Sequence, residues 1–103
     1  YFENLAHSDL ILPTSKMGVS HVFHLFVVRT KRRDELIKTL NKLEIYPGIH
    51  YPTPVHLQPA FESVPHNELP VTESLAETIV SLPMFPELTK AELSRVCKGV
   101  LSV

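Results

Sequence analysis

Tryptophan is absent, cysteine occurs once and glycine three times, and ten Lys+Arg stand against eleven Asp+Glu in a chain of 103 residues. Each scarcity removes a class of function. A lone Cys97 cannot close an intramolecular disulfide, which suits a reducing, cytoplasmic compartment, and its place in an apolar helical stripe makes it a small core residue. Glycines at 18, 48 and 99 are too scattered to form a Gly-rich turn that cradles phosphate groups. A formal net charge of -1 lacks the basic excess that draws a phosphate backbone or an anionic bilayer, so neither nucleic acid nor membrane is expected as a partner. Apolar runs such as "LFVV" and "IVSLPMF" are far shorter than the roughly 20 residues that span a bilayer. No charged-then-apolar stretch resembles a signal peptide.

What is present reads as one α+β domain over residues 1–103. Hydrophobic residues make up 44% of the chain, enough for a single core. The opening "YFENLAHSDLILP" starts on aromatic residues without an initiator methionine and reads as a stretch cut into a longer protein. In "HVFHLFVVR", residues 21–29, Val22, His24, Phe26 and Val28 alternate with Phe23, Leu25 and Val27. Apolar residues on both faces predict a central strand. "KRRDELIKTLNKL" places Leu36, Ile37, Leu40 and Leu43 on one helical stripe with a charged outer face. "GIHY" predicts a short second strand, after which Pro52, Pro54 and Pro59 hold the chain out of regular structure until "HLQPAF" makes one turn. "PVTESLAETIVSL" repeats the helical period with Leu75, Ala76, Ile79 and Val80, with Pro83 and Pro86 as its stop and "SLPMF" as a candidate short strand. Thr89 and Glu92 form a capping box ahead of Leu93, Val96, Cys97, Val100 and Leu101. The expected architecture is a small, mainly antiparallel sheet layered with helices.

Six histidines invite a metal hypothesis, but zinc needs three or four convergent ligands and none of the histidine spacings matches a common ligand pattern. No metal site is expected. His24, between Val22 and Phe26, reads as a hydrogen-bonded core histidine, and His7, His21 and His66 as surface residues. His50, Tyr51 and His56 fall in "GIHYPTPVHLQPAF", where two readings stay open: a proline-stiffened loop facing water, or a binding loop whose side chains are displayed in a preset geometry. Two imidazoles and a phenol can donate to phosphate, carboxylate or hydroxyl oxygens, so the second reading implies an anionic or polyhydroxylated small ligand. No nucleophile-elbow serine or cysteine and no carboxylate pair near the loop supplies a hydrolytic centre.

Taken in order, "HVFHLFVVRT", "RRDEL", "GIHYPTPVHLQPAF", "LPVTESLAETIVSLPMFPELT" and the capped last helix resemble the C-terminal small domain of the DegT/DnrJ/StrS family of pyridoxal-phosphate-dependent sugar aminotransferases. The likeness runs over about residues 20–101. It implies the small domain of the aspartate aminotransferase fold, with the cofactor domain outside this chain. It implies an intact enzyme that transfers an amino group, usually from glutamate, to a nucleotide-linked keto-sugar, working as a homodimer. Residue by residue it makes His50, Tyr51 and His56 the substrate-contacting candidates, facing the diphosphate or the sugar hydroxyls. A Schiff-base lysine and an acidic partner for the pyridine nitrogen would lie in the large domain, since Lys16, Lys31, Lys38, Lys42, Lys90 and Lys98 sit in polar positions. No catalytic residue is therefore assigned here, and neither bound pyridoxal phosphate nor activity is expected of this chain alone. The sequence departs from the family's pattern at Glu44, where a glycine is frequent, so the preceding helix is expected to end by a route other than a left-handed residue. A stand-alone ligand-binding or interaction module is the alternative reading.

Overall fold

In the computed structural model, which describes residues 1–103, two four-residue strands organise everything else. β1 (Phe26–Arg29) and β2 (Ile79–Leu82) pair antiparallel in the register Phe26 with Leu82, Val27 with Ser81, Val28 with Val80 and Arg29 with Ile79. Side chains alternate across a strand, so Phe26, Val28, Val80 and Leu82 face one way, and all four are buried. Single antiparallel bridges widen the pair on both sides. Ile11 joins Arg29 and Gly48 joins Ser81, each through two backbone hydrogen bonds of 2.8–3.0 Å. β1 is thus internal, as its two apolar faces predict.

The helices cover the buried face. α1 (Phe2–Leu5) contributes Leu5, α2 (Arg33–Lys42) contributes Leu36 and Leu40, and α4 (Lys90–Leu101) contributes Val96, Cys97 and Val100 to an eleven-residue core. α3 (Pro70–Thr78) precedes β2 and buries Ala76. Cys97 is a buried free thiol within this core. The α4 capping box forms as its residues require: the Glu92 N–H donates to Thr89 Oγ1 at 3.2 Å and the Thr89 N–H to Glu92 Oε2 at 2.9 Å. Tyr1 closes the other end of the core. Its ring lies tilted against Phe26 with centroids 4.8 Å apart, its hydroxyl donates to the Pro83 carbonyl, and burial first, then the neighbouring Cys97, pushes its phenol up to about 12. No helix is long and apolar enough to cross a membrane.

The structure corrects several expectations. The first strand begins at Phe26, not at residue 21. The His21 ring accepts the Phe23 N–H through Nδ1 at 2.8 Å and stacks on the Phe23 ring, and Phe23 turns to φ 48°, so a local side-chain bond replaces the strand ladder there. Val22 is consequently 90% exposed, and His24 is an exposed residue and not a core one. The helix expected over "PVTESLAETIVSL" stops at Thr78, whose hydroxyl turns back onto the Ser74 and Leu75 carbonyls, and Ile79–Leu82 is captured by β1 as a strand. Cross-strand pairing of β-branched residues outweighs the helical period there. Of "GIHY", only Gly48 pairs with a neighbouring strand, and "VHLQPAF" makes two 3-10 turns, Val55–Leu57 and Pro59–Phe61, where one turn is expected.

The end of α2 is corrected in the opposite sense. Glu44 adopts φ 58°, the left-handed conformation usually given to glycine. Its N–H donates to Asn41 O and the Ile45 N–H to Leu40 O, both at 3.0 Å, and buried Ile45 packs in the same cluster as Leu40. This is a Schellman ending with a glutamate in the glycine seat. The exposed Arg95 guanidinium lies 3.9 Å from the Glu44 carboxylate, too far and too solvated to offset the backbone cost. Replacing Glu44 with glycine relieves a left-handed penalty of about 1–2 kcal/mol and returns part of it as unfolded-chain entropy. Glu44→Gly is therefore expected to raise stability by about 0.5–1 kcal/mol, and Glu44→Val to lower it. Urea midpoints at unchanged m-value check both.

Candidate functional site

The segment between Gly48 and Leu69 leaves the edge of the sheet and returns at the start of α3, and polar contacts fasten it at two places. The first lies on the sheet. Because Val80 and Leu82 point into the core, Ser81 points to the opposite face, where the returning chain covers it to 5% exposure. Its Oγ lies 2.9 Å from His50 Nδ1. The imidazole rests on Gly48, at which a Cβ would stand 2.6 Å from His50 Cε1, so only glycine admits the ring in this pose. Tyr51 meets His50 edge to face, with ring centroids 5.7 Å apart, and is itself 74% exposed.

The second fastening is on α3. His56, set in the first 3-10 turn, places Nε2 3.0 Å from Glu73 Oε1, with only 10% of its side chain exposed. The same oxygen accepts the Leu69 N–H at 3.1 Å, one of the donors that a helix start leaves without an intrahelical partner. His66 meets His56 edge to face at 5.0 Å. The hydrogen bond from His56, then that from the Leu69 N–H and the fields of both imidazoles, hold the Glu73 carboxyl below the usual carboxylate range. Val55, Phe61, Val64 and Leu69 join these two imidazoles and Thr72 around an open, largely apolar cleft of about 330 Å³.

The three residues singled out in the sequence therefore divide. His50 and Tyr51 stand together at the sheet, whereas His56 belongs to a second group with Glu73 and His66. Two anchoring residues escape a reading of motifs. Ser81 is the one polar residue in the run Ile79–Leu82, and Glu73 is an acidic residue in the first turn behind Pro70. A polar residue inside an apolar strand and an acid near a helix start are the signals that point to them. No group of three or more His, Cys, Asp or Glu side chains is placed to hold a metal ion.

Residues 1–101 match the model of the DegT/DnrJ/EryC1/StrS aminotransferase family. The chain belongs to that family. It is 41% identical over 96 residues to the UDP-N-acetyl-3-dehydro-alpha-D-glucosamine 3-aminotransferase of Acidithiobacillus ferrooxidans, covering 93% of this chain and 26% of that protein. It superposes on the crystal structure of Streptomyces venezuelae DesV with a TM-score of 0.92 at 39% identity, over 98% of this chain and 28% of that one. Bacillus subtilis NtdA, solved with its bound cofactor PMP, matches with a TM-score of 0.86 at 26% identity, over 99% of this chain and 25% of that one. The chain spans about a quarter of the length of the curated relatives it matches. NtdA thus holds the cofactor PMP.

The residues present here do not fit that cofactor's attachment. A Schiff-base lysine depends on burial or close cationic neighbours for its reactivity, and Lys16, Lys31, Lys38, Lys42, Lys90 and Lys98 are all exposed. What this chain does hold is a pair of polar anchors, one of them sensitive to acid. Glu73 has a depressed folded-state pKa, so its contribution is complete above the ordinary value of 4.5 and is lost as the pH falls below that. Glu35, beside Arg32, and Glu92, in the capping box, shift in the same direction. The urea midpoint is expected to fall between pH 6 and pH 3.5, and Glu73→Gln to show the smaller fall. An equal fall in both proteins would remove Glu73 from the account.

Proposed function

We propose that this chain is the C-terminal small domain of a pyridoxal-phosphate-dependent aminotransferase. The intact enzyme would transfer an amino group, usually from glutamate, to a nucleotide-linked keto-sugar in surface-polysaccharide or natural-product sugar biosynthesis. The observation that carries this reading is the match to DesV across 98% of the chain at 39% identity, together with curated relatives whose names are those of sugar-nucleotide transaminases.

In this reading the chain's own residues bind and orient; the chemistry lies with the cofactor domain. His50, Tyr51 and His56 line the entrance for the sugar nucleotide. His50 has Nε2 left for a ligand once Nδ1 is on Ser81, the Tyr51 hydroxyl stands in solvent, and His56 has Nδ1 left once Nε2 is on Glu73. Each can donate to a diphosphate or sugar oxygen when the donor nitrogen or hydroxyl carries its proton. The large domain and a second subunit are the macromolecular partners, in a cytoplasmic homodimer without nucleic-acid or membrane partners. Support comes from the surface: Met17, Val19, Val22, Tyr46, Val55 and Val71 are all strongly exposed. The radius of gyration is 15.5 Å, against about 13 Å for a compact domain of this length. Such an extended shape and such exposed apolar side chains suit a surface that packs against other protein.

In the full-length protein, His50→Ala, Tyr51→Phe and His56→Ala are each expected to lower kcat/KM for the sugar nucleotide by about ten- to a hundredfold, the worth of one charge-assisted hydrogen bond of about 1.5–3 kcal/mol. The half-reaction with the amino donor should hold. A loss equal in both half-reactions would move these residues to a folding role, and no loss would make the loop scaffolding. The 103-residue chain alone is expected to give neither transamination nor a borohydride-reducible adduct with pyridoxal phosphate. A stoichiometric adduct at one lysine, with turnover, would overturn the domain assignment.

A further inference from the structure

We infer that Ser81 is a positioning residue that holds neutral His50 in the tautomer with its proton on Nε2, so that the imidazole offers the sugar nucleotide an N–H donor in a preset place. The inference rests on the reading that His50 meets the substrate, and it adds how the donor is made.

The argument begins with a hydroxyl. Ser81 is the one buried polar residue of the chain, and its only side-chain hydrogen bond runs to His50 Nδ1 at 2.9 Å. A buried hydroxyl without an acceptor is costly. An Nδ1 carrying a proton would itself donate to Ser81 Oγ and leave the serine proton with no partner in the fold. An Nδ1 with a free lone pair accepts the serine proton and satisfies both groups. The neutral imidazole then carries its proton on Nε2.

The ring cannot easily adopt another arrangement. Turning it over would exchange Nδ1 for a carbon opposite Ser81 Oγ, and the ring lies against Gly48 so closely that even a Cβ there would stand 2.6 Å from Cε1. Tyr51 packs on the ring from a further side. Ser81 is fixed in turn, since its backbone pairs with Val27 on one edge and Gly48 on the other. The Ser81 hydrogen bond and the Gly48 and Tyr51 contacts favour this pose of an otherwise exposed residue, so less rotamer freedom is left to give up when a ligand arrives. The acceptor that fits is an oxygen of the diphosphate or a sugar hydroxyl. The amino-acid donor, which lacks both, should not depend on it.

The test uses the full-length protein with Ser81→Ala, Ser81→Thr, His50→Ala, His50→Gln and His50→Asn, measured in both half-reactions. Ser81→Ala is expected to lower kcat/KM for the sugar nucleotide about tenfold, mainly through KM, with the amino-donor half-reaction within about twofold, and Ser81→Thr to restore most of the loss. His50→Gln, whose amide nitrogen approximates Nε2, should retain more activity than His50→Asn, whose amide approximates Nδ1. A long-range 15N–1H spectrum of histidine-labelled protein should show His50 protonated on Nε2, and a tautomer mixture in Ser81→Ala. If His50→Ala costs activity while Ser81→Ala does not, or if the spectrum places the proton on Nδ1, the positioning role is overturned and the substrate reading stands. Equal losses in both half-reactions for Ser81→Ala would also overturn it. If His50→Ala costs nothing, the substrate reading fails, and this inference with it.

Discussion

The antiparallel capture of Ile79–Leu82 by β1 is the constraint on which the rest depends. It sends Val80 and Leu82 into the core and so obliges Ser81 to face the other way, because neighbouring strand residues alternate. It also exposes the outer edge of β2, where Gly48 adds the bridge that starts the loop. One register thus fixes the packing of α2 and α4 on one face and the position of an imidazole on the other. A slip of one residue would bury the serine in the core and turn Val80 onto the loop. The apolar pattern makes that slip costly, so the core protects the geometry of the outer face.

The loop is built on different principles from the core. No residue between 46 and 75 is fully buried, so packing cannot hold it. Six of the nine prolines, at 47, 52, 54, 59, 65 and 70, lie in or beside it. Each fixes one φ and reduces the freedom of the unfolded segment as well as of the folded one. Two polar anchors, Ser81 with His50 and Glu73 with His56, then register the stiff segment against strand and helix.

Much of this was legible in the residues. The strand 26–29, α2, the α4 capping box, the burial of Cys97 and the singular loop around His50 follow from period, cap chemistry and composition. Where the fold departs from apolar period, a distant strand decides in one case and local hydrogen bonds decide in the others. Ile79 and Val80 satisfy a helical stripe and a strand equally, and only β1, fifty residues earlier in the chain, selects the strand. His21 ends the ladder before Phe26 through a bond to Phe23 that apolar alternation does not register. Glu44 takes a glycine conformation because the two Schellman bonds and the Ile45–Leu40 contact offset its cost. The family resemblance adds a proposal that chemistry alone leaves open, that a loop of two imidazoles and a phenol faces a substrate.

The loop's construction also bears on how it would work. A hydrogen bond in a partly exposed setting contributes about 1 kcal/mol net, so two such anchors give the segment a local opening free energy far below that of the eleven-residue core. The prolines keep the opened segment short of a random coil, so reclosure orders few torsions. Stiffness and few anchors together describe an element with one registered position on the sheet and helix. In the proposed reading, a nucleotide-linked sugar would meet donors that such an element has already oriented. Strong burial would have fixed the same side chains at the cost of entry, and a flexible glycine-rich loop would have allowed entry at the cost of orientation. The sequence avoids both by placing proline where a loop would ordinarily carry glycine, and by keeping glycine for the one position, Gly48, where the His50 ring must come down on the backbone.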